Sequence, residues 1–355
     1  MDAFFASADR SMSRNFREAI SGTGATVLRG KAQKDPVRDF ALSTAAGLAS
    51  IPRRLESRFL YDSQGSELFD LITEQPEYYL TRTEAAILAN NSGRIRDITG
   101  RVTLVELGSG SSIKTDYLLR AWLSRDLTAR YVPVDVSDSA LQQACRAIST
   151  THPNVQTIGV HSDYYGAFPI LHQISPALVL FLGSTIGNFA PLEMSRFLKN
   201  MAAALTPGDF FLVGIDLVKD KPLMEAAYND AAGVTGEFTR NLFARMNREL
   251  RSNIELSAVE HEARYNNDKK QIEIHARFTR QQTLRIMPLD ENITIAKGER
   301  VNTEVSRKFD LEEFLPYVEE FGFATEEVFT DDRNWFALIL LQRMPIYANP
   351  AGGMA

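Results

Sequence analysis

Gly108-Ser109-Gly110, Asp135, Asp163-Tyr164 and Asn188 each follow an apolar run, and their types suit holding a ligand by hydrogen bonds rather than attacking it covalently. The first group lies in Val102–Thr115 (VTLVELGSGSSIKT), where an apolar run carries Glu106 near its end and breaks into small residues. The helix-like stretch Tyr117–Trp122 follows directly. A buried parallel strand that turns through small residues into a helix exposes bare backbone N–H groups to a ligand. The third glycine of a dinucleotide fingerprint and the Lys-Ser/Thr pair of a phosphate loop are both missing here. The loop therefore suits a ligand without a pyrophosphate. A glycine-rich turn that merely joins strand to helix is the alternative.

Asp135 ends the next apolar run, Tyr-Val-Pro-Val-Asp-Val, where a carboxylate can accept both hydroxyls of a ribose. It could equally be a helix-capping or surface aspartate. Asp163, beside Tyr164, follows a third run and suits an exocyclic adenine amine, although a loop aspartate fits as well. Asn188 closes Phe181–Asn188 after a fourth run, at the edge where open α/β sheets bind ligands. Its side-chain oxygen accepts a hydrogen bond from an amine without adding a permanent charge.

The elements that must position these residues alternate. Apolar runs at 102–107, 130–136, 155–160, 177–183 and 210–216 are separated by amphipathic helical stretches, which predicts a parallel sheet covered on both faces. The first fifty residues read as helical with no sheet signal. Asp62–Ser66 reads as a turn before a helix through Ile72, and Thr83 as a cap for a helix over Glu84–Asn90. After Asp216 the rhythm changes to a helical stretch, Pro222–Leu250, then β-patterned segments at 257–265, 271–279, 281–287, 292–296 and 300–308. A helix over Leu311–Phe321 and a strand over Phe336–Leu341 look like a return to the first unit.

Composition narrows the function. A net charge of −6 opposes nucleic-acid binding. One cysteine, Cys145, in a helical pattern, excludes an intramolecular disulfide and reads as a buried thiol. Five histidines without H-E-x-x-H spacing oppose a zinc site, and no metal is expected. No apolar stretch is long enough to span a bilayer. The expected setting is the cytoplasm, and the expected partner a small molecule bound by a monomer.

The loop Glu106-x-Gly108-x-Gly110 is similar to the first loop of S-adenosylmethionine-dependent methyltransferases. Longer blocks make the resemblance specific. These are Phe59-Leu60-Tyr61-Asp62-x-x-Gly65-Ser66, Pro76-Glu77-Tyr78-Tyr79-x-Thr81-Arg82-Thr83-Glu84, Phe181–Asn188 and Asp216–Asp220. Ala227–Thr235, Asn247–Leu250 and Thr303-Glu304-Val305-Ser306-x-Lys308-Phe309 complete them, in unbroken order from about residue 55 to 340. The chain resembles the histidine Nα-methyltransferases of ergothioneine biosynthesis, which make trimethylhistidine (hercynine).

That resemblance implies a Rossmann-like class I methyltransferase core, an α/β fold with an inserted α+β substrate-binding domain. Residues 1–54 would be an N-terminal helical segment and 346–355 a tail. Residues 55–95 with 218–307 would bind substrate, and 96–217 with 308–345 the S-adenosylmethionine. Gly108, Ser109, Gly110, Lys114, Asp135, Asp163 and Tyr164 would hold this cofactor. Tyr61, Tyr78 and Asn188 would be catalytic, orienting the amine. Tyr228, with Tyr61, would hold the amino-acid end including its carboxylate, and Glu304 with Ser306 would grip the imidazole. A neutral imidazole offers one N–H donor and one bare nitrogen, which an ionised carboxylate and a hydroxyl satisfy together. The Glu304 contact would lie far from the transferred methyl. The chain departs from the family at Ile274, where a methionine stands near the ring.

The sequence thus reads as an Nα-methyltransferase of a free amino acid, with L-histidine first. Another aromatic amino acid, as in fungal relatives that methylate a prenylated tryptophan, is the rival substrate; an indole, however, lacks the acceptor nitrogen. A catalytically silent S-adenosylmethionine-binding module is the rival from another class.

Overall fold

The computed structural model describes residues 10–22, 25–29, 35–110 and 112–345. Its strands run in chain order β1 (Thr26–Arg29), β2 (Thr103–Leu107), β3 (Ala129–Asp135), β4 (Val155–His161), β5 (Ala177–Phe181) and β6 (Phe210–Asp216). Then come β7 (Val259–Asn266), β8 (Gln271–Phe278), β9 (Gln282–Ile286), β10 (Glu291–Ile295), β11 (Arg300–Arg307), β12 (Phe323–Thr330) and β13 (Phe336–Arg343).

Eight strands form the central sheet in the order β1-β4-β3-β2-β5-β6-β13-β12. The pairs from β1 to β6 are parallel, and β13 is antiparallel to both β6 and β12. Alternate residues feed two cores. Leu104, Leu178, Leu212 and Leu338 pack on one face, and Val105, Val179, Val213 and Ile339 on the other. With period-2 side chains, a strand buried on both faces is mostly apolar. Every residue of β2, β5 and β6 is accordingly buried. Parallel strands need crossovers, supplied by helices such as Thr115–Leu123, Asp138–Thr151, Tyr164–Leu171 and Pro191–Ala204. Cys145 is buried on the second of these. No described helix is long and apolar enough to cross a membrane.

Between β6 and the return helix Leu311–Glu319 stand an antiparallel sheet, β11-β8-β7, and the hairpin β9-β10. Their positions match the β-patterned segments to within a few residues. Other details differ from the sequence reading. Thr26–Arg29 is an edge strand beside β4, so residues 1–54 are not purely helical. At four residues it is too short for an alternating signature. The stretch 222–250 is two helices, Lys221–Ala226 and Val234–Glu249, with Gly233 at φ +76° before the second. Thr83 does not cap a helix. It sits inside Tyr79–Thr99, its hydroxyl donating to the Tyr79 carbonyl at 2.9 Å. The tail after residue 345 lies outside the described residues.

Candidate functional site

The loop after β2 is held open by what surrounds it. Gly108 has φ +75°, and a Cβ there would stand 3.1 Å from the Tyr164 hydroxyl, so the strand end and that phenol share one space. Asp135 accepts from Gly110 N–H at 2.9 Å and from Ser137 N–H at 2.8 Å. The strand-end carboxylate therefore clamps the loop, and each of its oxygens keeps a lone pair. Burial raises its pKa, against the pull of these backbone donors. The Ser109 hydroxyl is buried and has no partner among the described residues, a donor left for a ligand. Asp163 is exposed and caps the helix Tyr164–Leu171 through Gly166 N–H at 2.7 Å, which spends only one of its oxygens. These residues converge, and they fit a ribose and an adenine amine.

Two glutamates that sequence reasoning gave no role hold this region together. Glu106 is buried and accepts from Thr115 Oγ1 at 2.6 Å and from the Tyr131 hydroxyl. Desolvation pushes its pKa up to about 7, against these donors. It ties the strand to the following helix rather than touching a ligand. Glu84, with no exposed surface, accepts from Gly183 N–H at 2.8 and 2.9 Å and pairs with the Lys114 ammonium. Lys114 is thus placed between the loop after β2 and the loop after β5, with N–H bonds to spare.

The loop after β5 turns through two left-handed residues, Gly183 at φ +73° and Ser184 at φ +55°. The Ser184 hydroxyl accepts from Asp216 N–H at 2.9 Å, which fixes this turn to the end of β6. A short 3-10 turn, Thr185–Asn188, then presses on β11. A Cβ on Gly187 would lie 2.9 Å from the Arg307 carbonyl oxygen, so only glycine allows this approach. It sets Asn188 Nδ2 donating to Glu304 Oε1 at 3.0 Å.

On β11 the register against β8 shifts between Asn302 and Glu304. This bulge re-aims the strand. Beyond it Glu304, Ser306 and Lys308 follow at period 2 and share one face. Glu304 sits opposite Ile274, whose side chain is buried in the core. Glu304 lies deep in the protein yet keeps some accessible surface, as a side chain facing an internal cleft would. Desolvation pushes its pKa up to about 7; Lys308 and the Asn188 amide pull the other way.

Five aromatic rings form one cluster here. Tyr61 packs edge-on to Phe69 and Phe238 at 5.6 and 5.4 Å, and Tyr78 edge-on to Tyr228 at 6.0 Å. Tyr78 is held by Arg82, whose guanidinium donates to the carbonyls of Gln75, Pro76 and Tyr78 at 2.8, 2.7 and 3.0 Å. Desolvation first, then neighbouring negative charge, raises the Tyr61 and Tyr78 phenols well above their ordinary value. They remain neutral donors. The Tyr228 hydroxyl lies 2.8 Å from Ser306 Oγ, and Lys308 donates to both at 2.9 Å.

Behind them stands a buried cluster that the sequence did not reveal. Asp216 accepts from Lys308 at 2.8 Å, Lys219 at 2.6 Å and the Tyr79 hydroxyl at 2.8 Å. Desolvation lowers the Lys219 pKa to about 8, although Asp216 opposes this. Asp216, Lys219 and Lys308 all lie in the resembling blocks, but a charged residue read alone looks exposed.

A parallel sheet with an antiparallel strand inserted next to its edge, and a glycine loop clamped at the carboxyl end, are features of class I methyltransferases. The chain belongs to the family described as histidine-specific, S-adenosylmethionine-dependent methyltransferases, whose model matches residues 40–343. A histidine N-alpha-methyltransferase of Mycolicibacterium smegmatis is 43% identical over 298 residues, covering 84% of this chain and 93% of the relative. One of Mycobacterium tuberculosis is 39% identical over 295 residues, 83% of this chain and 92% of the relative. A 4-dimethylallyltryptophan N-methyltransferase of Epichloe festucae var. lolii is 25% identical over 327 residues, 84% and 92% of the two chains.

Proposed function

We propose that this chain transfers methyl groups from S-adenosylmethionine to the α-amine of free L-histidine, up to trimethylhistidine (hercynine) in ergothioneine biosynthesis. The observation that carries this reading is the Asn188–Glu304 contact on the strand face that also bears Ser306. It sets an amine acceptor beside a carboxylate and hydroxyl matched to an imidazole. The family membership and the two mycobacterial relatives support the same substrate.

Gly108, Ser109, Gly110, Lys114, Asp135, Asp163 and Tyr164 hold the cofactor, which supplies a sulfonium methyl when bound. Tyr61, Tyr78 and Asn188 orient the amine lone pair, Tyr228 with Tyr61 holds the amino-acid end including its carboxylate, and Glu304 and Ser306 grip the ring. Positioning of the two reactants carries most of the rate. Tyr61 and Tyr78 stay protonated, so the ammonium proton leaves to solvent. Residues 55–95 with 218–307 act as the substrate-binding part, since they contribute all of the pocket but Asn188. Residues 96–217 with 308–345 form the cofactor-binding part. We read the protein as a cytoplasmic monomer.

Incubation with S-adenosylmethionine and a panel of free amino acids, followed by mass spectrometry, tests the substrate. Histidine is expected to gain up to three methyl groups. Methylation of tryptophan or tyrosine but not histidine would overturn the assignment.

A further inference from the structure

Glu84 lies on the helix Tyr79–Thr99 and has no exposed surface. Both of its oxygens accept from the Gly183 N–H, at 2.8 and 2.9 Å, and Oε2 also accepts from the Lys114 ammonium. Strand β6 makes room for this carboxylate. A Cβ on Gly214 would stand 2.2 Å from Glu84 Oε1, inside a strand that is apolar up to Asp216. Gly214 does not have a positive φ, so its missing side chain provides space and not backbone freedom. A glycine weakens a strand interior, and a buried ion pair is seldom more stabilising than apolar side chains packed in its place. Stability alone is a poor reason for this arrangement.

Its place in the sheet supplies a better one. The strand order β3-β2-β5 means that the chain leaves β2 toward one side for β3 and β4, then returns to the other side for β5 and β6. Ligands of open α/β sheets bind outside the carboxyl ends of the strands at such a reversal. Lys114 follows β2 and Gly183 follows β5, so the two flank that crevice. The Lys114 ammonium lies 3.6 Å from where a Cβ on Gly183 would stand, and 21% of the lysine side chain stays accessible. Among the described residues it donates only to Glu84, which leaves two N–H bonds for a ligand. Asp135 and Asp163, the partners proposed for ribose and adenine, stand after β3 and β4, on the far side of β2. The opposite end of S-adenosylmethionine, its amino-acid tail, then falls between Lys114 and Gly183, where a carboxylate complements the ammonium.

We propose that Glu84 is a positioning residue for the cofactor tail. It touches no ligand itself, but holds the Lys114 ammonium and the Gly183 backbone at the spacing that the tail carboxylate requires. A lysine fixed at its tip has less rotamer freedom to lose when the ligand arrives. The helix that carries Glu84 starts directly after Tyr78, so one rigid element sets both the cofactor tail and a phenol proposed to orient the amine. The inference rests on the reading of Lys114 as a cofactor residue.

Calorimetry on the full chain tests it, comparing S-adenosylhomocysteine with 5′-methylthioadenosine, which keeps the adenosine and the sulfur but lacks the amino-acid tail. Glu84→Gln keeps the shape and an acceptor for the Gly183 N–H but loses the ion pair. It is expected to weaken S-adenosylhomocysteine about tenfold and methylthioadenosine by less than about twofold, as for one charge-assisted contact to the tail. In a Lys114→Met background the same substitution is expected to cost S-adenosylhomocysteine no more than about twofold, because the lysine through which Glu84 acts is gone. A residue that merely staples the helix to the two loops would lower both affinities equally, and that result would overturn the proposal. Unchanged S-adenosylhomocysteine affinity in Glu84→Gln would also overturn it, as would an undiminished loss in the Lys114→Met background. Glu84→Asp keeps the charge but is too short to reach both partners; it carries the same comparison, with the same expected ratio, should the glutamine variant fail to fold. Lys114→Met alone separates the proposal from the reading beneath it. A lost preference for S-adenosylhomocysteine there, with none lost in Glu84→Gln, overturns the role of Glu84 and leaves Lys114 in the cofactor site. A preference kept in both variants removes both residues from the tail.

Discussion

Asn188 and Glu304, 116 residues apart, are joined by a 3.0 Å hydrogen bond in which the amide nitrogen donates to the carboxylate. An ionised carboxylate can only accept, so it fixes which end of the amide faces it. The Asn188 oxygen is thereby turned away from Glu304. The two proposed subsites, one for the amine and one for the ring, are joined by this contact.

Glu304→Ala is therefore expected to lower kcat as well as raise the histidine KM. The sequence reading set Glu304 far from the methyl; its contact with Asn188 ties it to the residue proposed to orient the amine. Losing a hydrogen bond to a charged group costs about 1.5–3 kcal/mol, or roughly ten- to a hundredfold in kcat/KM. Steady-state kinetics check the split, and S-adenosylhomocysteine calorimetry should show cofactor affinity unchanged. A wild-type kcat would disprove the coupling.

The same carboxyl sets a pH dependence. Burial pushes Glu304 up to about 7, from an ordinary value of 4.5. Below about pH 7 it becomes protonated, can donate, and no longer fixes the amide. Histidine kcat/KM is expected to fall on that side, and Glu304→Gln to flatten the fall while lowering the plateau. Stability has the opposite sign. The folded state prefers the protonated form, so its contribution is full below about pH 4.5 and is lost as pH rises through about 7. Thermal melts of ligand-free Glu304→Gln should accordingly lose less stability than wild type between pH 5 and 8. Glu106 titrates in the same window, so part of the slope should remain.

Asp135→Ala should weaken S-adenosylhomocysteine binding roughly ten- to a hundredfold, as expected for a charge-assisted contact. Because Asp135 also holds Gly110 N–H at 2.9 Å, the loop itself should loosen. Calorimetry reads the first effect, and hydrogen exchange at residues 108–112 the second. Unchanged affinity would remove Asp135 from the site.

Gly187→Ala places a methyl 2.9 Å from the Arg307 carbonyl. Overpacking of this kind costs about 1–3 kcal/mol. The melting temperature should drop and histidine KM rise, with cofactor affinity preserved, since the displaced turn carries Asn188 and not the loop after β2. Equal losses in both affinities would indicate a general collapse instead.

Much of this architecture was legible in the residues. The runs at 102–107, 155–160 and 210–216 announce β2, β4 and β6 because strands buried over most of their length are mostly apolar. Strand β12 went unread because its half-buried Phe-Ala-Thr-Glu-Glu-Val-Phe-Thr is interrupted by a register shift between Thr325 and Glu327. The pocket was legible only through resembling blocks. Nothing in the spacing of Asp216 and Lys308 shows that they bury one another's charge, since that depends on β11 running back to the end of β6. Glu84 looked like one more charge on a helix, yet it is fully buried against Gly183 and Lys114.

The position of β13 has a consequence for synthesis. Among the described residues it is the last strand in the chain, yet it lies between β6 and β12 rather than at the margin of the sheet. Until Phe336–Arg343 leave the ribosome, Phe210–Asp216 offers an unpaired apolar rim to any other chain. Such rims template intermolecular pairing. Products cut short before Phe336 should therefore precipitate rather than persist as partly active enzyme, and a chaperone that shields β6 has some 120 residues of elongation to cover.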